Sequence, residues 1–179
     1  ACLDGRMTID ELPSMIEDAL KQVPCQRVMY WGEHPHAFVR PIRWIYVHYG
    51  AQVLDGQVVG LSLTPHSYGH RFHAPEPLYI ESPRSYVDVL ETNGYVMPCF
   101  DSRQQALVDQ IHRLVKPYGV VDLDTALLQE VTGLVEWPVA LLGHFDDAFL
   151  QLPDAVLRAA MMKHQKCFPV VDVSGVLLP

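Results

Sequence analysis

"RWIYVHYGAQVLDGQVVGLSL" (Arg43–Leu63) is the stretch on which the architecture turns. Three short runs rich in β-branched and aromatic residues are punctuated by Gly50, Gly56 and Gly60. Runs of this kind between glycines read as strands, and Asp55-Gly56 is a favoured pair for a two-residue hairpin turn. An antiparallel meander is therefore expected between Arg40 and Ile80, with "PLYI" (Pro77–Ile80) as a further strand.

Helical patterns flank this region. In "IDELPSMIEDALKQV" (Ile9–Val23) the apolar residues Leu12, Met15, Ile16, Ala19, Leu20 and Val23 recur at helical spacing. Thr8 with Glu11 has the form of a capping box, Asp10 is an equally good N-cap, Pro13 fits only a first turn, and Pro24 ends the helix. Downstream, Ser82 caps a helix with Pro83 at its first position, and Asn93-Gly94 stops it. "YVMPCF" (Tyr95–Phe100) reads as a strand. Asp101 then caps a longer helix, with Gln104 at the capping-box position, that runs to about Lys116. A short helix is expected over Thr125–Thr132, ending at Gly133, and "PVALLGHF" (Pro138–Phe145) as a buried strand. Pro153 opens a helix to about Lys166, and "FPVVDVSGVLLP" (Phe168–Pro179) reads as a hairpin around Ser174-Gly175. The class is α+β: a mixed, largely antiparallel sheet with several packed helices, expected as one module over residues 1–179.

The chain has no Met at its start and closes on an apolar strand edge, which invites aggregation when unpaired. A piece of a longer polypeptide is expected, with an incomplete edge over about residues 168–179. No apolar run approaches the roughly 18 residues that span a bilayer, and "ACLDGRMTIDEL" lacks the basic-then-apolar order of a signal peptide. A cytoplasmic protein is expected, with Cys2, Cys25, Cys99 and Cys167 as reduced thiols, because they are far apart and form no C-x-x-C pair.

The net charge of −8 argues against a binder that coats nucleic acid through its overall charge, yet fields depend on distribution. Two basic groupings stand out. "VRPIRW" sets Arg40 and Arg43 beside Trp44, and "GHRFH" adds Arg71. "KHQK" sets Lys163, His164 and Lys166 in the last turn of the expected helix, where cations either stabilise the C-terminus or contact phosphate. "LTPHSYGHRFHAP" (Leu63–Pro75) holds His66, His70 and His73 at spacings a metal site could use, but in a Pro/Gly-rich loop with no H-E-x-x-H. No G-x-S-x-G, P-loop or G-x-G-x-x-G occurs. Asp122, Asp124, Asp146, Asp147 and Asp154 lie near helix starts, where capping explains acids better than catalysis does.

Four segments together resemble one family: "VRPIRWIYVHYG", "GHRF", "EVTGLVEWPVALLGHFDDAFLQLP" and "HQKCFPVVDVSG" are similar to the beta subunit of bacterial glycyl-tRNA synthetase, from about residue 8 to the end. Cys167 departs from the aromatic residue expected in "HQK-x-FPV", and the family pattern over Gly69–Phe72 requires neither His66 nor His73. The resemblance implies a part of a glycine–tRNA ligase that charges tRNA(Gly) with ATP and magnesium. It places the catalytic centre on an alpha subunit and gives the beta subunit tRNA recognition and assembly. The expected partners are the alpha subunit, tRNA(Gly) and a second beta subunit, with no membrane. This piece alone is expected to be inactive, with no catalytic residue, metal or cofactor of its own. Arg40, Arg43, Arg71, Lys163 and Lys166 are the expected RNA contacts. The resemblance also implies a likeness to the editing-type domain of the phenylalanyl-tRNA synthetase beta chain. The rival readings are a purely structural interaction module and a metal-dependent hydrolase built on the three histidines.

Overall fold

The computed structural model describes residues 5, 7–33 and 35–179; Cys2 lies outside them. The chain divides into two compact units, Ala1–Gly94 and Tyr95–Pro179. The class is α+β, with α-helices and short two-stranded antiparallel sheets.

The first unit is built on helix α1 (Thr8–Gln22) and two successive hairpins. Met7 occupies the N-cap of α1 without a side-chain cap, so the Thr8–Glu11 capping box does not form; Thr8 is already helical. Ile9, Leu12, Ile16 and Leu20 pack on the buried cluster Leu54, Val58, Val59 and Leu63, whereas Met15 and Val23 are exposed. The apolar stripe is thus shifted from the one expected, because a strict 3.6-residue period carries Met15 off the face that Leu12 and Ile16 share.

The expected meander is not one continuous sheet but separate two-stranded hairpins, and their turns are not where Asp55-Gly56 pointed. Strand β1 (His48–Tyr49) pairs with β2 (Gln52–Val53) around Gly50, and β3 (Gln57–Val58) pairs with β4 (Leu61–Ser62) around Val59-Gly60. Val59 and Gly60 both have positive φ, 46° and 75°, the signature of the primed turn that matches strand twist. Gly56 instead lies between the hairpins, its carbonyl accepting from Leu63 N–H at 2.8 Å. A β-branched residue in the left-handed region is disfavoured, so Val59 needs outside support. Burial of its side chain supplies part of it, and the Glu17 carboxylate of α1 accepts the Val59 N–H at 3.1 Å.

Strand β5 (Ser67–Tyr68) pairs with β6 (Pro77–Leu78), so "HSYGH" begins as a strand where only a loop was expected. Ser82 caps the following turn by accepting from Arg84 N–H, and helix α2 (Tyr86–Thr92) ends at Asn93 as the sequence indicated.

In the second unit "YVMPCF" is not a strand. Tyr95 has φ of 53°, Pro98 carries no N–H, and the segment is anchored point by point. Met97 N–H donates to Glu136 C=O at 2.9 Å, and the Arg103 guanidinium bonds the carbonyls of Met97 and Thr132. Helix α3 (Phe100–Val115) starts with Cys99 at the N-cap, which places Asp101 inside the first turn rather than at the cap. Helix α4 (Thr125–Leu134) is capped by Asp124, which accepts from Leu127 N–H at 2.7 Å, and it runs through Gly133 instead of stopping there. Leu107, Ile111 and Val115 of α3 form the core with Val121, packed by Leu128, Val131, Phe168 and Val170.

"PVALLGHF" is not a strand either: Val139 and Leu141 are 67% and 87% exposed. Its backbone bonds the amide of Gln110 on α3, whose Nε2 donates to Pro138 C=O and whose Oε1 accepts from Ala140 N–H, both at 3.0 Å. Strand β7 (Val120–Val121), not foreseen, pairs instead with β8 (Val170–Val171). The terminal hairpin forms around Ser174-Gly175, with Asp172 Oδ1 accepting from Ser174 and Val176 N–H. The expected helix from Pro153 is α5 (Asp154–Arg158) followed by a π-helical stretch, Ala159–His164. Among the acids, Asp146 caps a 3-10 turn, while Asp122 and Asp154 pair with Arg158.

The Glu17 carboxyl is held below its ordinary value by Lys21, with Val59 N–H as a second cause. A depressed carboxyl stabilises the fold above its unfolded value and loses that contribution as pH falls through its folded value. Glu17→Gln keeps an acceptor for Val59 but no charge. The expected outcome is a lower melting temperature than wild type at neutral pH, the gap closing as pH falls below the ordinary 4.5. A gap that stays constant in melts across acid pH would contradict this role.

Candidate nucleic-acid interface

The first unit carries the more open set of cations. Arg40 and Arg43 lie on the exposed stretch before β1, and Arg71 follows β5 in a turn. None of the three forms an ion pair among the described residues. Arg43 and Arg71 are placed by aromatic faces: their guanidinium carbons lie 5.9 Å from the Trp44 ring centroid and 5.7 Å from that of Phe72. A cation over an aromatic face keeps its charge and much of its hydration, and therefore stays available to an anion. Phe72 itself is 79% exposed.

The "GHRF" turn is shaped by its glycine and its histidine. His70 Nδ1 accepts the N–H groups of Phe72 and His73 at 3.2 and 3.3 Å, and the rings of His70 and His73 stack 4.4 Å apart. His66 Nε2 instead shares a hydrogen bond of 2.9 Å with Tyr68 Oη. His66 is thus paired apart from His70 and His73, which lie against each other. Among the described residues no group of three His, Cys, Asp or Glu side chains is placed to hold a metal ion. At the front of the turn His70 N–H donates to Gly94 C=O at 2.6 Å, and a Cβ on Gly69 would lie 2.5 Å from Gly94 Cα. Only glycine allows that approach.

Beside this surface, Trp44, Tyr46 and His48 line a cleft of about 560 Å³. Tyr46 Oη is 2.8 Å from His48 Nδ1, and partial burial raises the phenol above its ordinary value. Trp44 packs on Tyr68 with ring centroids 4.7 Å apart. The sequence reading singled out Trp44 only as a neighbour of Arg43. Strict alternation in "RWIYVHY" was the available signal, since a period of two puts Trp44, Tyr46 and His48 on one face.

In the second unit Lys163 is exposed, on the π-helical stretch, and forms no ion pair among the described residues. Lys166 is different: its ammonium lies 2.8 Å from Glu130, so a carboxylate already holds it. It also borders an apolar cavity of about 720 Å³ walled by Leu107, Ile111, Leu141 and Phe168. The expected contacts therefore form two sets, Arg40, Arg43 and Arg71 on one unit and Lys163 and Lys166 on the other.

Comparison with known proteins supplies a family. The family described as "Glycyl-tRNA synthetase beta subunit" matches residues 2–179. A glycine–tRNA ligase beta subunit of Coxiella burnetii (strain Dugway 5J108-111) is 40% identical over 175 residues, covering 98% of this chain and 25% of that protein. Its counterpart in Hahella chejuensis is 40% identical over 176 residues, with the same coverage. That of Marinobacter nauticus is 38% identical over 177 residues, covering 98% and 26%. The chain spans about a quarter of the length of these curated relatives.

Gly69→Ala is expected to destabilise the protein by about 1–3 kcal/mol, because the obstructing atoms are backbone and cannot rotate away. Chemical denaturation of the variant checks this, and an unchanged midpoint would mean that the two segments separate at no cost.

Proposed function

The chain belongs to the glycyl-tRNA synthetase beta subunit family, and from that premise we propose that it is a non-catalytic part of a glycine–tRNA ligase, contacting the backbone of tRNA(Gly). In this reading the catalytic centre, with ATP and magnesium, lies on an alpha subunit, and the beta subunit contributes tRNA recognition and assembly. A second beta subunit is a further partner. This piece alone would not charge tRNA. Such an assembly would work in the cytoplasm; among the described residues no helix is long and apolar enough to cross a membrane. The expected likeness to the editing-type domain of the phenylalanyl-tRNA synthetase beta chain would concern architecture alone, since glycine, the smallest amino acid, presents no obvious need for editing.

The observation that carries the RNA reading is the set of exposed arginines without carboxylate partners among the described residues, in a chain of net charge −8. In an acidic protein an unneutralised guanidinium tends to find a carboxylate, and Arg158 does so twice. Arg40, Arg43 and Arg71 do not among the described residues. Guanidinium groups left open in this way suit bidentate phosphate contact. Lys163 joins them on the same ground, and Lys166 does so only by exchanging Glu130 for phosphate.

A second reading, a protein–protein module, has its own observation. Val139 and Leu141 are exposed on the second unit, and Leu141 lines its apolar cavity. Exposed apolar side chains at the rim of an apolar cavity suit a contact site. The two readings meet on the second unit, where Lys166 and Leu141 line the same cavity, and are told apart by the salt dependence of binding.

Binding of tRNA to the complete alpha/beta assembly tests both. Replacing Arg71 and Lys163 together by Ala is expected to weaken binding and to lower the slope of log affinity against log salt by about one per lost phosphate contact. Unchanged affinity with an unchanged slope removes these residues from the interface. Leu141→Asp should leave the slope alone and weaken subunit association only if the second reading holds.

A further inference from the structure

Phosphate contact leaves the cleft of the first unit without a use, although it is built unlike the surface around it. Its volume of about 560 Å³ lies within the roughly 300–1,000 Å³ range of small-ligand sites. Its aromatic lining includes Phe38, Trp44, Tyr46 and Tyr86. Two polar groups in it are unspent. Ser67 is only 6% exposed, yet its hydroxyl makes no hydrogen bond among the described residues. His48 uses Nδ1 on Tyr46, and its Nε2 has no partner there. Both groups belong to residues that line the cleft, so each has a hydrogen-bonding position left to offer an occupant.

The chemistry that fits is a flat heterocycle with donors and acceptors on its rim. An aliphatic side chain would fill the walls but leave Ser67 and His48 unpaired. A free planar ligand would use the walls and the polar groups, but would gain nothing from the cations beside the cleft. Arg43 lies over the Trp44 ring, Arg40 lies three residues before Arg43, and Arg84 directly follows the lining residue Pro83. All three are exposed and lack ion-pair partners among the described residues. A base with phosphates running away on both sides uses every one of these features. We propose that this cleft takes a single unpaired nucleobase of an RNA strand, stacked against Trp44 with its edge on Ser67 and His48, while Arg43 meets a flanking phosphate. Duplex RNA does not fit, because its bases are stacked and paired and their faces cannot be presented to a protein ring. The inference rests on the RNA-contacting reading above and assigns it a base-binding element that backbone contacts alone do not supply.

The test uses the complete alpha/beta assembly and three probes: a single-stranded RNA octamer, the same octamer annealed to its complement, and adenosine monophosphate. Trp44→Ala is expected to weaken binding of the single strand about tenfold, as for loss of one base–aromatic stack, with duplex binding unchanged. Trp44→Phe should keep most of the affinity, since it retains a ring. Ser67→Ala should cost a few-fold and removes no packing surface of note. A single strand carrying 4-thiouridine should crosslink within residues 43–48. Adenosine monophosphate should compete weakly, and competition at equal strength would reassign the cleft to free nucleotide and overturn the proposal. Wild-type affinity in both Trp44→Ala and Ser67→Ala overturns it, and so does a crosslink mapped elsewhere. If Trp44→Ala fails to fold, Ser67→Ala and the crosslink decide. A silent Trp44→Ala with an altered salt slope in the Arg71 and Lys163 variant rejects the cleft and leaves backbone contact standing. The reverse pattern rejects those two cations and leaves the cleft.

Discussion

One backbone N–H organises the first unit. Val59 sits in the left-handed region at the tip of the β3–β4 hairpin, where a β-branched residue is disfavoured, and its amide donates to Glu17, 42 residues earlier. The bond does two jobs in one place. It holds the turn in a geometry its own sequence resists, and it fixes α1 over the hairpin, so that Ile9, Leu12, Ile16 and Leu20 meet Leu54, Val58 and Leu63. Leu63 is bridged in turn to Ile45, inside the segment that carries Trp44 and Tyr46. The position of the cleft therefore follows from where a helix carboxylate is anchored. Because Lys21 also binds that carboxylate, the anchor is ionic as well as hydrogen-bonded.

What the sequence disclosed, and what it hid, divides along the range of the interactions involved. Local devices were legible. Ser82 and Asp124 cap where they stand, Asn93-Gly94 ends α2, and Ser174-Gly175 turns a hairpin closed by Asp172. Features decided by distant partners were not. Val59-Gly60 makes a turn that Asp55-Gly56 would have been expected to make, because Glu17 is available to support it. "YVMPCF" and "PVALLGHF" have strand composition but pair with no strand among the described residues, and Arg103 and Gln110 on α3 bond their backbones instead. β7 consists of Val120–Val121, too short a pattern to stand out before its partner is known.

The candidate site shows the same division. The arginines were visible as a charge pattern, and the structure adds that aromatic faces rather than carboxylates hold two of them. For Lys166 the added fact runs the other way, since Glu130 is a partner 36 residues distant that no local pattern announced. The histidines of "HSYGHRFH" attracted attention by number, while the group's main structural demand is the glycine among them, which brings two backbones together where no side chain fits.

Gln110 has a wider implication. A strand segment normally carries its own address, because its alternation of side chains matches it to a neighbour. Residues 138–140 are held by two main-chain groups bound to a single amide on another element. The instruction that places this segment is thus written elsewhere, in one helix residue. Pro138 and Ala140 face inward, so the outward Val139 is the position free to diversify toward new partners while the path of the chain stays constant.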